Sequence, residues 1–198
     1  VQSLQDHSFN VATKAREDAN VIDQGDILFL LGLYHDLGKA NQEFQDKLLL
    51  HPNKHVDHSS AGARYLFQKI QICLKSLNVE KKDRDFFQEI CAYVISSHHG
   101  MYDILLQDET INASQYAYNR LRYRIIEGTE SNRYQEDIEP FAQKLESQLP
   151  YYGYNSLDDL IKKAFENYQQ AWSTLKWINE SEKDFYSSCF VKLYLSLL

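Results

Sequence analysis

Residues 26–39 read DILFLLGLYHDLGK, and this stretch decides the fold class. Residues 27–37 are largely apolar, which is typical of a buried helix, and Asp26 stands directly before the run. The pair His35-Asp36 lies near the end of the run, and we expect Gly38 to stop the helix. The stretch therefore predicts a buried helix that carries an imidazole and a carboxylate on its last turn.

Apolar residues at three- and four-residue spacing predict helices on both sides of this stretch. One face of a first helix is formed by Leu4, His7, Val11 and Ala15. Residues 40–57 are interpreted as a short helix and a polar loop around Pro52. A further helix starts near Ser59 or Ser60. The charged run 80–85 is interpreted as a loop or a helix start, and the helix beyond it includes Phe87 and His98 and ends at Gly100.

The pattern changes after Gly100. Residues 101–153 are rich in Tyr and in charge and only weakly periodic, so we interpret them as an insertion with one or two short helices, limited by Pro140. Two capping patterns each open a later helix: Ser156 with Asp159, and Ser181 with Asp184 before residues 185–198. The 198 residues include only 7 glycines and 3 prolines, and the alternation of apolar and polar residues that is typical of strands is nearly absent. The sequence therefore predicts one all-α domain over residues 1–198.

Composition excludes several classes of protein. Hydrophobic residues make up 43%, which excludes wholesale disorder, and no apolar run approaches the roughly 18 residues of a membrane span. The net charge of −7 argues against a generic nucleic-acid coat protein, although bound metal ions could supply a nuclease with positive charge. No signal peptide is visible. The odd set of Cys73, Cys91 and Cys189 favours buried, reduced thiols and a cytoplasmic protein.

Most of the histidines fall in four short pieces: His7, His35-Asp36, His58 and His98-His99. A single carboxylate can bridge two metal ions through its two oxygens, and imidazole nitrogens are suitable ligands for Fe, Mn, Co, Ni and Zn. A buried Asp36 without such partners would be costly. Metal ligation explains several inward-facing imidazoles at once.

Each piece also has a simpler interpretation. A lone imidazole such as His7 is more often a hydrogen-bonded core residue than a ligand, and His98-His99 could cap a helix C-terminus. His51 and His55 are interpreted as solvated loop residues. The four pieces together, in this order, favour a metal site.

The motifs DHS (6–8), HDLGKA (35–40), DHSSAGA (57–63) and SHHG (97–100) resemble the HD nuclease domain of the type I CRISPR-interference nuclease–helicase. The resemblance covers about half of the chain, residues 6–100. It implies a compact helical bundle, two transition-metal ions and cleavage of single-stranded DNA. It also implies that His7 and His35 bind one ion, that Asp36 bridges, and that His58, His98 and His99 bind the other. Lys39 is implied to face the scissile phosphate.

The family carries a further metal-binding Asp on its last core helix, and no residue here fits that position well. The nearest acid, Asp184, precedes the final apolar run, and the chain stops at Leu198. We therefore expect the His7–His35 site to be incomplete, and the chain to continue into the end of the domain or a helicase.

One basic and aromatic patch could contact DNA. If residues 116–124 are helical, Arg120 and Arg124 share a face with Tyr116 one turn earlier, where arginine could meet phosphates and tyrosine could stack on bases. A solvated or partner-binding helix face is the alternative.

Three functions remain open at this point. The first is a metal-dependent DNase recruited by an RNA-guided surveillance complex, beside a helicase domain or subunit. The second is an HD phosphohydrolase that acts on nucleotides or cyclic dinucleotides. The third is a degenerate HD domain that serves only for docking. No membrane partner is expected.

Overall fold

The described part of the chain in this computed structural model consists of α-helices and short 3₁₀ helices and contains no strand, which confirms the all-α prediction. The structure describes residues 2–50, 56, 58–99, 125, 135–174 and 180–198. The α-helices in these ranges are α1 (Leu4–Ala19), α2 (Gly25–Tyr34), α3 (Gln42–Leu50), α4 (Ser59–Lys75), α5 (Lys81–Ser97), α6 (Gln135–Glu146), α7 (Leu157–Thr174) and α8 (Glu180–Leu197). The 3₁₀ helices are Asn20–Ile22, Leu37–Ala40 and Leu149–Tyr152.

Helix α2 lies at the centre of the core. It packs against α1 and α7, and its apolar side chains are fully buried. Asn167 of α7 caps its N-terminus, because the side-chain oxygen accepts from the backbone N–H of Asp26 (2.8 Å) and Ile27 (3.2 Å). The C-terminus of α2 therefore has a fixed position, and this end carries the His-Asp pair.

The predicted stop at Gly38 was wrong. Helix α2 ends at Tyr34, His35 caps it, and Gly38 lies inside the 3₁₀ helix Leu37–Ala40. A Cβ on Gly38 would collide with the backbone carbonyl of His58. Glycine is needed there for close backbone approach and not as a helix terminator.

The inward face of α1 is also rotated from the predicted one. Ala15 is buried as expected, but Leu4 and Val11 are only half-buried, and the buried face includes Phe9 and Ala12. The cause is a close crossing with α2. A Cβ on Gly32 would lie 2.7 Å from the Cα of Ala12, so small residues set the rotation of α1.

Two of the later helices differ from the prediction. Pro140 lies inside α6 without ending it, and the same helix buries Ile138, Ala142 and Leu145 in the main core. Burial of this face offsets the one backbone hydrogen bond that proline cannot donate. The pattern at Ser181 does not open the last helix, because α8 already begins at Glu180.

Several other expectations are confirmed. Helix α4 begins at Ser59, α5 begins at Lys81, and the hydroxyl of Ser156 accepts from the N–H of Asp159 at the start of α7. Cys73 and Cys91 are buried free thiols, but Cys189 is exposed, contrary to prediction, because it lies on an outer face of α8. None of the helices described here combines the length and apolar character needed to cross a lipid bilayer.

Candidate metal centre

Five helices and turns bring the six predicted ligands to one place. Each ligand sits at or near a helix end: His7 on α1, His35 as C-cap of α2, Asp36 just after it, His58 as N-cap of α4, His98 as C-cap of α5, and His99 next to it. Their ligand atoms form two groups, Asp36–His58–His98–His99 and His7–His35–Asp36, in each of which all atoms lie within 4.8 Å of one another. We call these the four-ligand cluster and the three-ligand cluster.

Asp36 belongs to both clusters through different oxygens. Its Oδ2 lies 3.1 Å from Nε2 of His7 and 3.2 Å from Nε2 of His35. Its Oδ1 lies 3.5 Å from Nε2 of His58 and 3.4 Å from Nε2 of His98. The carboxylate therefore has the arrangement that a bridging ligand requires.

Two of the imidazoles are oriented by backbone carbonyls. Nδ1 of His35 donates to the carbonyl of Gly32 (2.7 Å), and Nδ1 of His98 donates to the carbonyl of Ile95 (2.6 Å). A neutral imidazole that donates through Nδ1 presents a lone pair at Nε2, which here faces Asp36. Two lone-pair atoms so close together need a proton or a cation between them, which fits a metal-binding role.

The ligand spacing and the unpartnered atoms also fit a metal centre. Two donors bound about 2.0–2.2 Å from one ion, at angles of roughly 90–110°, lie about 2.8–3.6 Å apart. The four Asp36–imidazole distances fall within this interval. Oδ1 of Asp36 and Nε2 of His98 are buried without a hydrogen-bond partner. Nitrogen and oxygen donors in this mixture suit divalent transition metals.

The electrostatics keep the carboxylate ionised. Burial by itself raises the pKa of Asp36, but the contacts with His35 and His98, which can supply a proton when no ion is bound, and with the ammonium of Lys39 outweigh burial and hold the pKa well below its usual range. Nζ of Lys39 donates to Oδ2 of Asp36 at 2.6 Å. The predicted catalytic lysine therefore lies beside the carboxylate that the two clusters share, with its side chain partly exposed.

Close packing holds His58 in its place. The ring of Phe44 on α3 meets that of His58 edge to face, with ring centroids 5.0 Å apart. Asn41 caps α3 by accepting from the N–H of Phe44 (2.8 Å). His58 occupies the N-cap position of α4, and Ser59 is the first helical residue.

The other residues that the sequence singled out near the centre have different outcomes. A Cβ on Gly62 would lie 2.5 Å from the carbonyl oxygen of Tyr34, so glycine allows α4 to pack closely against the end of α2. The candidate DNA-contacting residues Tyr116, Arg120 and Arg124, and the loop residues His51 and His55, lie outside the described residues. The described part of α8 contributes no atom to the three-ligand cluster.

Comparison with known families identifies this arrangement. The HD domain matches residues 4–145, which is most of the chain and includes all six ligand positions. The chain belongs to the HD domain family. HD domains are metal-dependent phosphohydrolases, so membership indicates that activity for this chain and supports divalent-metal binding at the two clusters. Neither a curated protein nor a solved structure matches the chain significantly.

Several residues of this HD domain that support its ligands were not predicted from the sequence. Gln45 donates to the carbonyl of Lys39 (2.6 Å), and Glu146 accepts from Tyr65 (2.7 Å) and Tyr34 (3.3 Å). The backbone acceptors for His35 and His98 could have been predicted, since a histidine on a final helical turn can reach the carbonyl three residues earlier. Glu146 carries no such signal, because its partners are distant in sequence.

Proposed function

We propose that this HD domain is a cytoplasmic, metal-dependent nuclease that hydrolyses phosphodiester bonds of single-stranded DNA in RNA-guided CRISPR interference. It would act beside a helicase domain or subunit and be recruited by the surveillance complex. The observation that carries the proposal is the division of the Asp36 carboxylate between two histidine clusters. The motifs HDLGKA, DHSSAGA and SHHG favour a nuclease over other HD phosphohydrolases.

His7, His35 and Asp36 would hold one ion, and Asp36, His58, His98 and His99 the other. When bound, divalent ions supply Lewis acidity that lowers the pKa of water and stabilises negative charge on phosphate oxygens. Asp36 fixes the relation between the two clusters, because a single rigid carboxylate serves both. The carbonyls of Gly32 and Ile95 keep His35 and His98 in the tautomer that presents Nε2.

Lys39 adds a cation to this centre. Its ammonium is tied to Asp36 at 2.6 Å, and its side chain is partly exposed on a flexible stem. A fixed positive charge beside the reacting phosphate stabilises the charge that develops there during hydrolysis. Lys39 is thus suited to bind the scissile phosphate and to hold the leaving oxygen's charge.

The exposure of the ligands supports a polymeric substrate. His35, Asp36 and His98 are almost fully buried, whereas the side chain of His7 is 38% exposed and His99 is exposed. Each cluster of the described centre therefore has one ligand that faces solvent, where a phosphate in a longer strand can be reached. A net charge of −7 makes the ions and Lys39 important for attracting that strand.

The test compares substrates and metals. The purified protein is loaded separately with Fe²⁺, Mn²⁺, Co²⁺, Ni²⁺ or Zn²⁺ and incubated with end-labelled single-stranded DNA, duplex DNA, mononucleotides and cyclic dinucleotides. The proposal expects degradation of single-stranded DNA, loss of activity on chelation, and no activity in Asp36→Asn. Release of phosphate from mononucleotides, or cleavage of cyclic dinucleotides without DNA degradation, would favour the other HD phosphohydrolases. Inactivity on every substrate with metal bound would favour a docking module.

A further inference from the structure

A partly buried polar contact lies next to the segments that carry the metal centre and involves none of its ligands. The hydroxyls of Tyr65 and Tyr34 both donate to Oε1 of Glu146, at 2.7 and 3.3 Å. The two rings stack with centroids 5.7 Å apart, and both tyrosines are almost fully buried. Burial, together with the contact with Glu146, raises the pKa of Tyr65, so its hydroxyl remains a donor. We call these three residues the tyrosine–glutamate bridge.

The bridge joins the segments that carry the ligands. Tyr34 is the last residue of α2 and directly precedes His35-Asp36. Tyr65 lies on α4, two turns after the N-cap His58. Glu146 is the last residue of α6, a helix that packs against α4 and against the 3₁₀ helix Leu37–Ala40. One carboxylate thus connects the end of α2 to the beginning of α4.

The backbones of these segments approach each other closely at the same place. A Cβ on Gly62 would lie 2.5 Å from the carbonyl oxygen of Tyr34, and a Cβ on Gly38 would collide with His58. With so little space between α2 and α4, the separation of Oδ1 of Asp36 and Nε2 of His58, 3.5 Å, depends on how these helices are held together.

Glu146 holds them through charge-assisted hydrogen bonds, which are stronger than neutral ones. Without its acceptor oxygen, two buried hydroxyls would lose their partner and the tyrosines would have to move. Because Tyr34 is adjacent to His35, such a movement is transmitted directly to the ligand pair. The described structure gives Glu146 no contact with a ligand atom, so its effect must pass through the tyrosines.

We propose that Glu146 is a positioning residue for the metal centre, which through Tyr34 and Tyr65 sets the distance between Asp36 and His58 and therefore the affinity of the four-ligand cluster for a divalent ion. This inference rests on the metal-dependent activity proposed above but not on DNA as the substrate. It assigns a role in metal binding to a residue outside both clusters.

The test measures metal affinity separately from stability. Mn²⁺ is titrated into the metal-free protein by calorimetry for the wild type, Glu146→Leu, Glu146→Gln and Glu139→Leu. Glu139 is the matched control, because it lies on the same helix and pairs with Lys69 (3.6 Å), whereas both tyrosine hydroxyls donate to Glu146. We expect the dissociation constant to rise about tenfold in Glu146→Leu, in the range typical of residues that orient metal ligands. Glu146→Gln keeps an acceptor oxygen and should stay close to wild type, as should Glu139→Leu.

A merely structural role predicts a different result. It would lower the melting temperature of the metal-free and Mn²⁺-loaded forms equally and leave the dissociation constant unchanged, because binding to the native state would be unaffected. That outcome overturns the proposal. If Glu146→Leu does not fold, Tyr65→Phe removes one donor and keeps the ring, and an unchanged Mn²⁺ affinity in that variant overturns the proposal equally.

The two proposals fail separately. If the wild type binds Mn²⁺ but degrades no single-stranded DNA, the proposed nuclease function is wrong. The role of Glu146 is then still decided by the Mn²⁺ titration. If Glu146→Leu binds Mn²⁺ as tightly as wild type while the wild type cleaves DNA, only the role of Glu146 is lost.

Discussion

Nε2 of His58 and Nε2 of His99 lie 2.7 Å apart, so two imidazoles from different helices point the same ring nitrogen at each other. Burial lowers the pKa of His58 to about 4, although Asp36 opposes this shift, and burial together with His98 lowers the pKa of His99. Both rings are therefore neutral at pH 7. Two neutral rings can share only one proton in this contact, whereas a divalent cation can bind both lone pairs.

Removing His58 should empty the four-ligand cluster. His58→Ala deletes one of its three imidazoles, and we expect metal affinity there to fall at least tenfold, so that this cluster loses its ion once free metal is removed. His7→Ala, which belongs to the other cluster, is the matched comparison. Metal analysis after gel filtration provides the count. Two ions retained in His58→Ala would contradict the assignment.

Asp36→Asn should abolish hydrolysis in a folded protein. The amide is nearly isosteric but neutral and cannot offer two anionic oxygens, so both clusters lose their shared ligand. Circular dichroism should remain helical, while DNA degradation and metal content both fall. Asp46→Asn changes a neighbouring acid outside both clusters and should retain activity. Wild-type cleavage by Asp36→Asn would exclude a bridging role for this carboxylate.

Lys39→Met should slow hydrolysis by about 10²–10³-fold, the usual loss when one group that stabilises developing charge is removed. Metal content should not fall, because the lysine competes with cations for Oδ2 of Asp36 and is not itself a ligand. Single-turnover cleavage at saturating Mn²⁺ measures the chemical step. Lys47→Met, on α3, is the control. If metal content falls as much as the rate does, Lys39 maintains the arrangement of the metal ligands and does not act on the phosphate.

Gly38→Ala should damage the centre as well as the fold. The added Cβ meets the backbone of His58, so we expect about 1–3 kcal/mol of destabilisation and weaker metal binding. Gly153→Ala is the comparison, because φ is +90° there and nothing lies within 4 Å of the added Cβ. It should cost about 1–2 kcal/mol through backbone strain with no effect on metal. Urea unfolding and Mn²⁺ titration distinguish the two variants.

Local patterns predicted the helices and the candidate ligands that lie together, because both depend on short spacings. Apolar periodicity located α4, α5 and α7, and the four histidine pieces identified every side chain of the two clusters. The helix termini were less predictable. Helix α2 ends at Tyr34, four residues before the glycine that the residue-type rule for helix ends favoured, and Nδ1 of His35 donates to the carbonyl of Gly32.

The support around the ligands could not be predicted, because it joins residues far apart in the chain. Tyr65 and Glu146 are separated by 81 positions, and Pro140 favoured a break in the helix that carries Glu146. The rotation of α1 likewise follows from the contact between Ala12 and Gly32. These contacts depend on how whole helices pack against one another, and the spacing of residues in one sequence does not indicate them.

The carbonyl contacts of His35 and His98 have a consequence for the entropy of ion capture. Both rings are already confined to one rotamer and one tautomer by Gly32 and Ile95 when the chain folds. The freedom that flexible ligands would lose on binding is therefore lost earlier, during folding. An arriving ion meets a preorganised site, and its affinity is not reduced by having to order these two side chains.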